Sequence, residues 1–215
     1  MEHIIINVGR QLGSGGHDIG RMLALDFQAQ YFDRELLNLA AKESGLSEKI
    51  FEQNDEKKGF FRGLLNMGAP HLSGGNFKPD LLQESLFQFQ SEAIRKAAKD
   101  SSCVFVGRCA DYVLRDFPNT VNVFITASMK YRIEQIMNKQ HLDHDAARKF
   151  IEQKESDRAA YYNYYTGKKW GSSESYDLCI DSSVLGLVET EKIIAAFIRK
   201  RFQILDSRVS LSPPE

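Results

Sequence analysis

The chain is poor in the residues that would tie it to an oxidising compartment or to a membrane. Its 215 residues include only three cysteines, Cys103, Cys109 and Cys179, none in C-x-x-C spacing. Neither a disulfide framework nor a cysteine-based zinc site is indicated, and two of the three lie in apolar, strand-like runs where Cys serves as a small hydrophobe. No apolar run reaches the ~18 residues of a membrane helix, and the N-terminus lacks a basic segment followed by an apolar core. The net charge of −1 provides no global positive field to hold a nucleic-acid backbone. These absences lead us to expect a cytoplasmic protein without nucleic-acid or membrane partners; they leave the oligomeric state open. What is present suits a packed α/β domain with insertions, since 42% of the residues are hydrophobic.

A further absence is local. From His3 to Ala24 the sequence HIIINVGRQLGSGGHDIGRMLA runs from a β-rich apolar segment through a glycine-rich loop into a helical pattern. Such a loop wraps an anion in backbone N–H groups while the next helix aims the positive end of its dipole at the same point. Yet neither the Lys nor the Ser/Thr of the phosphate-binding pattern GxxxxGK[ST] follows the glycines. Aligned on Gly13, Ser14 and Gly15, the pattern places Gly16 at the lysine position, His17 at the magnesium-binding hydroxyl, and Arg10 at the first glycine. Arg10, always charged and able to grip two phosphate oxygens, is the candidate for the missing cation. Asp18 is a candidate magnesium ligand, directly or through water. The alternative is a tight strand-to-helix turn that binds nothing.

Downstream the pattern alternates. Short apolar runs at 4–8, 31–32, 103–106, 121–125 and 178–180 read as strands, separated by segments with helical spacing. We expect helices from Ile19 to Phe27, over 35–56 with a break at Gly45, from Leu82 to Ala97, around Arg132, from Asp143 to Tyr162, and from Val188 to Ile198. Residues 59–79, with five glycines and two prolines, read as a mobile loop, and the SLSPPE tail as frayed. Strand–helix alternation implies right-handed crossovers and a parallel five-stranded sheet with helices on both faces. Ligands in such a fold occupy the crevice at the carboxyl ends of the strands. The glycine loop, Asp33 and Arg34, Gly107 and Arg108, and Ala127 and Ser128 all fall at that edge.

GRQLGSGGHDIG at 9–20, YFDRELL at 31–37, VFVGRCADYVL at 104–114, VFITASMKYR at 123–132, ESDRAAYYNYYTGKKWG at 155–171 and YDLCIDSS at 176–183 occur in an order and spacing that resembles the cytidylate kinase-like group of P-loop nucleoside monophosphate kinases, in particular a divergent subgroup with GSGG loops. The resemblance implies a three-layer P-loop NTPase fold over residues 1–207, with an acceptor-binding insert at about 36–95, a lid at about 129–172 and a flexible tail at 208–215. It also implies ATP and Mg2+ as cofactors, nucleotides as partners, and γ-phosphoryl transfer to CMP or dCMP. On this pattern Arg10, Arg132, Asp157 and Arg158 are the catalytic candidates. Gly13, Ser14, Gly15, Gly16, His17 and Asp18 would cradle the donor; Asp33, Arg34, Gly107 and Arg108 would take the acceptor; Asp18 and Asp33 would meet the metal. The chain departs from the usual enzymes in lacking the loop lysine, in having Cys109 where an acidic residue follows GR, with Asp111 two positions on, and in carrying Gln135 and Ile136 where a second lid arginine is expected.

Several residues admit plainer readings. Each arginine can be a solvated surface charge, Asp33 a helix N-cap, and the Asp157–Arg158 pair an exposed helical neighbour pair. Tyr161, Tyr162, Tyr164, Tyr165, Lys168, Lys169 and Trp170 can stack a base near a phosphate or pack the helix onto the core. The cluster His141, Asp143, His144 and Asp145 can be a metal site, or Asp143 a helix cap. Two rivals to the kinase stand beside it: a nucleotide sensor that has lost turnover, and a kinase of another small acceptor.

Overall fold

The computed structural model describes residues 3–37 and 81–203. Five strands, β1 (Ile5–Arg10), β2 (Gln30–Phe32), β3 (Cys103–Val106), β4 (Thr120–Thr126) and β5 (Leu178–Asp181), form one sheet in the order β2-β3-β1-β4-β5, and every pair is parallel. Among the described residues the helices are α1 (Gly16–Asp26), α2 (Leu81–Asp100), the single turn α3 (Ala110–Val113), α4 (Met129–Gln140), α5 (His144–Thr166) and α6 (Ser182–Arg201), with a helical turn at 34–37 and a 3-10 turn at Ser173–Ser175.

β1 is central, and apart from Asn7, which donates to Asn122 Oδ1 at 2.9 Å, its side chains from Ile5 to Val8 are apolar on both faces. Ile6 and Val8 point to one side with Val104, Val106, Val123 and Ile125, against Ile19 and Leu23 of α1 and Ile194 and Ile198 of α6. Ile5 points to the other with Phe105, against Ile94 of α2 and Val113 and Leu114. A strand buried on both faces reads as a continuous hydrophobic run, which is how IIINV reads. From β1 the chain winds outward to β2, returns to β3, then crosses β1 to β4 and β5. The carboxyl end of β1 is therefore the point where winding reverses and a crevice must open.

α4 and α5 fall within the segment expected as a lid. They form a hairpin closed by Ile133, Ile136, Ala147 and Ile151, onto which Leu12 of the glycine loop packs. α5 starts on Asp143, whose Oδ1 accepts from the Ala146 N–H at 2.8 Å, and ends on Gly167 in the left-handed conformation. At 23 residues it is about 34 Å long, enough to leave α4 and reach the core, where Tyr165 stacks on Phe87 of α2 at 3.9 Å. α6 begins earlier than its apolar periodicity suggests, because a turn at Ser182 precedes a non-helical Gly186. The expected helices and loop over 38–80, and with them most of the acceptor insert, lie outside the described residues, as does the tail. Among the described residues no helix is long and apolar enough to cross a membrane.

Candidate functional site

The glycine loop is held from within. The Gln11 N–H donates to the Ile125 carbonyl at 3.0 Å, the Ser14 hydroxyl lies 2.9 Å from the Gln11 carbonyl and 3.1 Å from that of Ile125, and the Ser182 hydroxyl approaches the Ser14 carbonyl at 2.7 Å. Ser14, expected among the donor-binding residues, is thus turned inward, its amide also engaged with Gln11. Gly13 sits beneath the backbone of Arg132, whose carbonyl oxygen would lie 2.9 Å from a β-carbon there. Gly15 caps α1 at φ 74°, with no side chain capping the helix, and Leu187 fills the space a β-carbon would need. The first-turn amides of Gly16, His17 and Asp18 have no intrahelical acceptor, so the helix presents them, with its dipole, toward the crevice.

Arg10 leaves β1 and folds over this helix end. A β-carbon at Gly16 would come within 2.5 Å of Arg10 Cβ and 2.7 Å of Cγ, and a β-carbon at Gly107 would collide with Arg10 Nη1. The arginine stem therefore occupies the volume into which a lysine at position 16 would begin to grow. Its guanidinium lies across the end of β3, with Nη2 3.4 Å from His17 Nε2. Burial, then Arg158 and Arg108, push the guanidinium down to about 9, still charged at neutral pH, and its buried Nε has no partner.

Arg158 and Arg108 neighbour it, and Arg34 neighbours them. Arg158, from α5, donates through Nη1 to the Arg10 carbonyl at 3.4 Å; burial lowers its proton affinity first, with Arg108 and Arg34 adding to the effect and Glu155 opposing it. Arg34 is lowered by burial and by Arg108. Arg108 lies over the Tyr161 ring, 5.2 Å from its centroid. It does so from a left-handed backbone, φ 61°, between Gly107 at 80° and Cys109 at 56°. Non-glycine residues pay about 1–2 kcal/mol each for that conformation, a strain that collects where function holds it in place. Four guanidiniums gathered in a half-buried crevice make a site complementary to polyanions.

Other expected residues lie apart. Arg132 is 4% exposed and its Nη1 donates to Glu155 Oε1 at 2.5 Å, so it is tied to the loop through Glu155 rather than joining the cluster. Asp157 accepts from Gln153 along its own helix at 2.9 Å. Asp18 is exposed on α1. Asp33 caps the helical turn that begins at Arg34, its Oδ1 accepting from the Glu35 and Leu36 amides at 3.0 and 3.1 Å, which leaves Oδ2 facing His17 Nδ1 at 4.0 Å. Tyr162 and Tyr165 are packed, Tyr162 donating to Asp111 at 2.6 Å. Trp170 meets Phe124 edge-on. The packing reading thus holds for these three, and Tyr161 alone of the group is placed against a cluster arginine by a ring contact. Asp143 is a cap, and among the described residues no three His, Cys, Asp or Glu side chains could hold a metal. Two participants were not read from the sequence. Glu155 stands one helical turn before Arg158, a visible signal; Tyr31, whose hydroxyl lies 3.0 Å from His17 Nδ1, is one of two aromatics in a short strand and carries none.

The model of the cytidylate kinase-like family matches residues 5–184. The chain belongs to that family. Among solved structures this kinase-like chain resembles an uncharacterized protein from Eubacterium ventriosum ATCC 27560, at 26% identity and TM-score 0.71 over 93% of this chain and 100% of the other. Shikimate kinase from Bacteroides thetaiotaomicron shares the fold at 12% identity and TM-score 0.51, over 94% and 99% of the two chains, and so does TT1252 from Thermus thermophilus at 12% and 0.51, over 96% and 100%. No curated protein matches in sequence. Family and fold together support a phosphotransferase built on a P-loop kinase core, with the ATP use general to that fold.

In this cytidylate kinase-like protein, the magnesium expected with ATP finds a partial fit. Mg2+ keeps several waters and leans on substrate phosphates plus one or two carboxylates. Asp33 Oδ2 can accept from such a water; Asp18, exposed in the first turn of α1, forms no cluster with it. His17, at the position of the usual hydroxyl, is pushed down to about 4 by burial and by Arg10. A histidine depressed in the folded state binds fewer protons than in the unfolded chain between about pH 4 and its ordinary value of 6.5, so stability falls as pH falls through that window. The side chain is 45% exposed, and solvent screening trims the size of the effect. The thermal midpoint should drop from pH 7 to pH 4.5, and His17→Gln should flatten that drop; an unchanged slope in the variant would remove His17 as its source.

Proposed function

We propose that the protein transfers the γ-phosphoryl group of ATP to a nucleoside monophosphate, CMP or dCMP. One observation carries the reading: the Arg10 side chain lies over Gly16, in the volume that the loop lysine would enter, with its charged end near Arg158 and Arg108, which in turn neighbour Arg34. Arg10 and the first amides of α1 hold the donor phosphates. Arg158 reaches the transferring group from α5, and Arg108 and Arg34 hold the acceptor phosphate beside the Tyr161 ring. Asp33 Oδ2 would hold Mg2+ through a coordinated water, and the ion would supply charge neutralisation at the donor phosphates. Phosphoryl transfer asks the protein for alignment and positive charge rather than covalent participation. A phosphate acceptor is already anionic and needs no general base, which agrees with a site rich in guanidinium. Packing of α4 and α5 over the donor would exclude water as a competing acceptor.

The second reading, phosphorylation of a small anionic alcohol, is favoured by Asp33. A hydroxyl acceptor must lose a proton, and Asp33 Oδ2 at the strand edge is a carboxylate that could take it. A coupled assay of ADP release with ATP and Mg2+, run across the nucleoside monophosphates and a set of small hydroxy acids, separates the readings. Turnover with CMP or dCMP above the other acceptors is the expected result. Preference for a hydroxy acid would transfer the function to the second reading, and nucleotide binding without ADP release under any acceptor would make the protein a sensor.

A further inference from the structure

Resting on the donor role of Arg10, we infer that Tyr31, acting through His17, is a positioning residue for the Arg10 guanidinium. The contacts form a chain. Arg10 Nη2 lies 3.4 Å from His17 Nε2, and His17 Nδ1 lies 3.0 Å from the Tyr31 hydroxyl. A guanidinium can only donate, so Nε2 must be the accepting nitrogen and the imidazole proton must sit on Nδ1. From there it is donated to the Tyr31 oxygen. The direction of every bond follows from the one fixed donor at its head.

This chain answers a question that the loop raises. A lysine after the glycines is aimed by the helix that carries it, whereas Arg10 comes from a strand end, reaches across two glycines and repels Arg158 and Arg108. Its Nε has no acceptor. Something must oppose the drift of a long, mutually repelled side chain, and His17 contacts it from α1 while itself tied to β2 through Tyr31. The residue at the position of the usual metal-binding hydroxyl thereby orients the cation that replaces the usual lysine. Tyr31 is placed for this by its ring, which Arg21 overlies at 5.4 Å from the centroid and against which α1 packs closely at Gly20.

Tyr31→Phe keeps the ring and its packing while removing the oxygen. Titration calorimetry of the whole protein with ATP, alongside initial rates, should find that Tyr31→Phe raises the ATP dissociation constant about three- to tenfold, the worth of one orienting hydrogen bond, with the melting temperature held near the parent value. His17→Leu should act in the same direction, and His17→Gln, which retains an acceptor and a donor, should recover part of the loss. The deciding measurement is the double variant. If Tyr31 works through Arg10, Tyr31→Phe adds nothing to Arg10→Ala. An undiminished effect of Tyr31→Phe in the Arg10→Ala background, or wild-type ATP affinity in Tyr31→Phe, overturns the inference. Unchanged ATP affinity in Arg10→Ala alone overturns the donor role on which it rests, so the two failures are distinguishable.

Discussion

Arg10→Ala should lower kcat/KM for ATP by about a hundredfold or more, the scale seen when a preorganised donor to a reacting phosphate or oxyanion is removed. The argument is electrostatic. Arg10 is held in a half-buried crevice at the end of β1, where its charge is little screened and where Arg158 and Arg108 already oppose it. Without an anion this arrangement costs stability, so removing Arg10 should leave the melting temperature of the free protein unchanged or raise it. Activity and stability then move in opposite directions, as expected for a residue kept for function. The rise in melting temperature that ATP produces in the parent protein should largely disappear in the variant. Loss of activity together with a fall in stability would instead mark Arg10 as a packing residue.

A swap sharpens the test. Gly16→Lys alone must clash, because a β-carbon there meets Arg10 Cβ and Cγ at 2.5 and 2.7 Å. In an Arg10→Gly background that volume is vacated, and the double variant rebuilds GxxxxGK from the native loop. It should recover at least an order of magnitude of the activity lost by Arg10→Gly, measured by ADP release. No recovery would mean that the shared volume is coincidental and that the cation of this site is not exchangeable between the two positions.

The sheet was legible because its strands are short and apolar on both faces, and because parallel strands must be joined by helices whose spacing is readable. IIINV, CVFV and VNVFI fall in adjacent strands, and the candidate residues after them meet at one edge as winding requires. Arg10, Arg34 and Arg108 lie at or just after strand ends on that edge, and Arg158 reaches the Arg10 carbonyl from α5. Side-chain direction is not carried by the motifs. Ser14, Arg132 and Asp157 carry motif-compatible chemistry, but which way a side chain turns is decided by partners distant in sequence: Ile125 for Ser14, Glu155 for Arg132. The loop glycines also answer to packing, since β-carbons at 13, 15 and 16 would meet Arg132, Leu187 and Arg10. The left-handed backbone at Arg108 and Cys109 is invisible in sequence because neither residue type favours it.

The largest stability effect belongs to Glu155, which the sequence reading passed over. Its Oε1 accepts from Arg132 Nη1 and from the Leu12 N–H at 3.2 Å, so one carboxylate joins α5, α4 and the glycine loop. Arg132 is 4% exposed and its Nε has no partner. Glu155→Ala therefore strands a buried cation and an amide of the loop at once, and should cost about 3–5 kcal/mol in urea unfolding, the range for breaking a buried pair by removing one member. The pair itself need not be worth that much, since forming it required desolvating both charges. Replacing both partners, Arg132→Met with Glu155→Leu, should restore much of the lost stability while ATP binding stays impaired, because Leu12 would still lack its acceptor and Arg158 the carboxylate that offsets its repulsion by Arg108 and Arg34. If instead the double replacement is as unstable as Glu155→Ala, the stranded charge is not the source of the loss. If it is stable and binds ATP normally, Glu155 serves the fold alone and the loop does not depend on it.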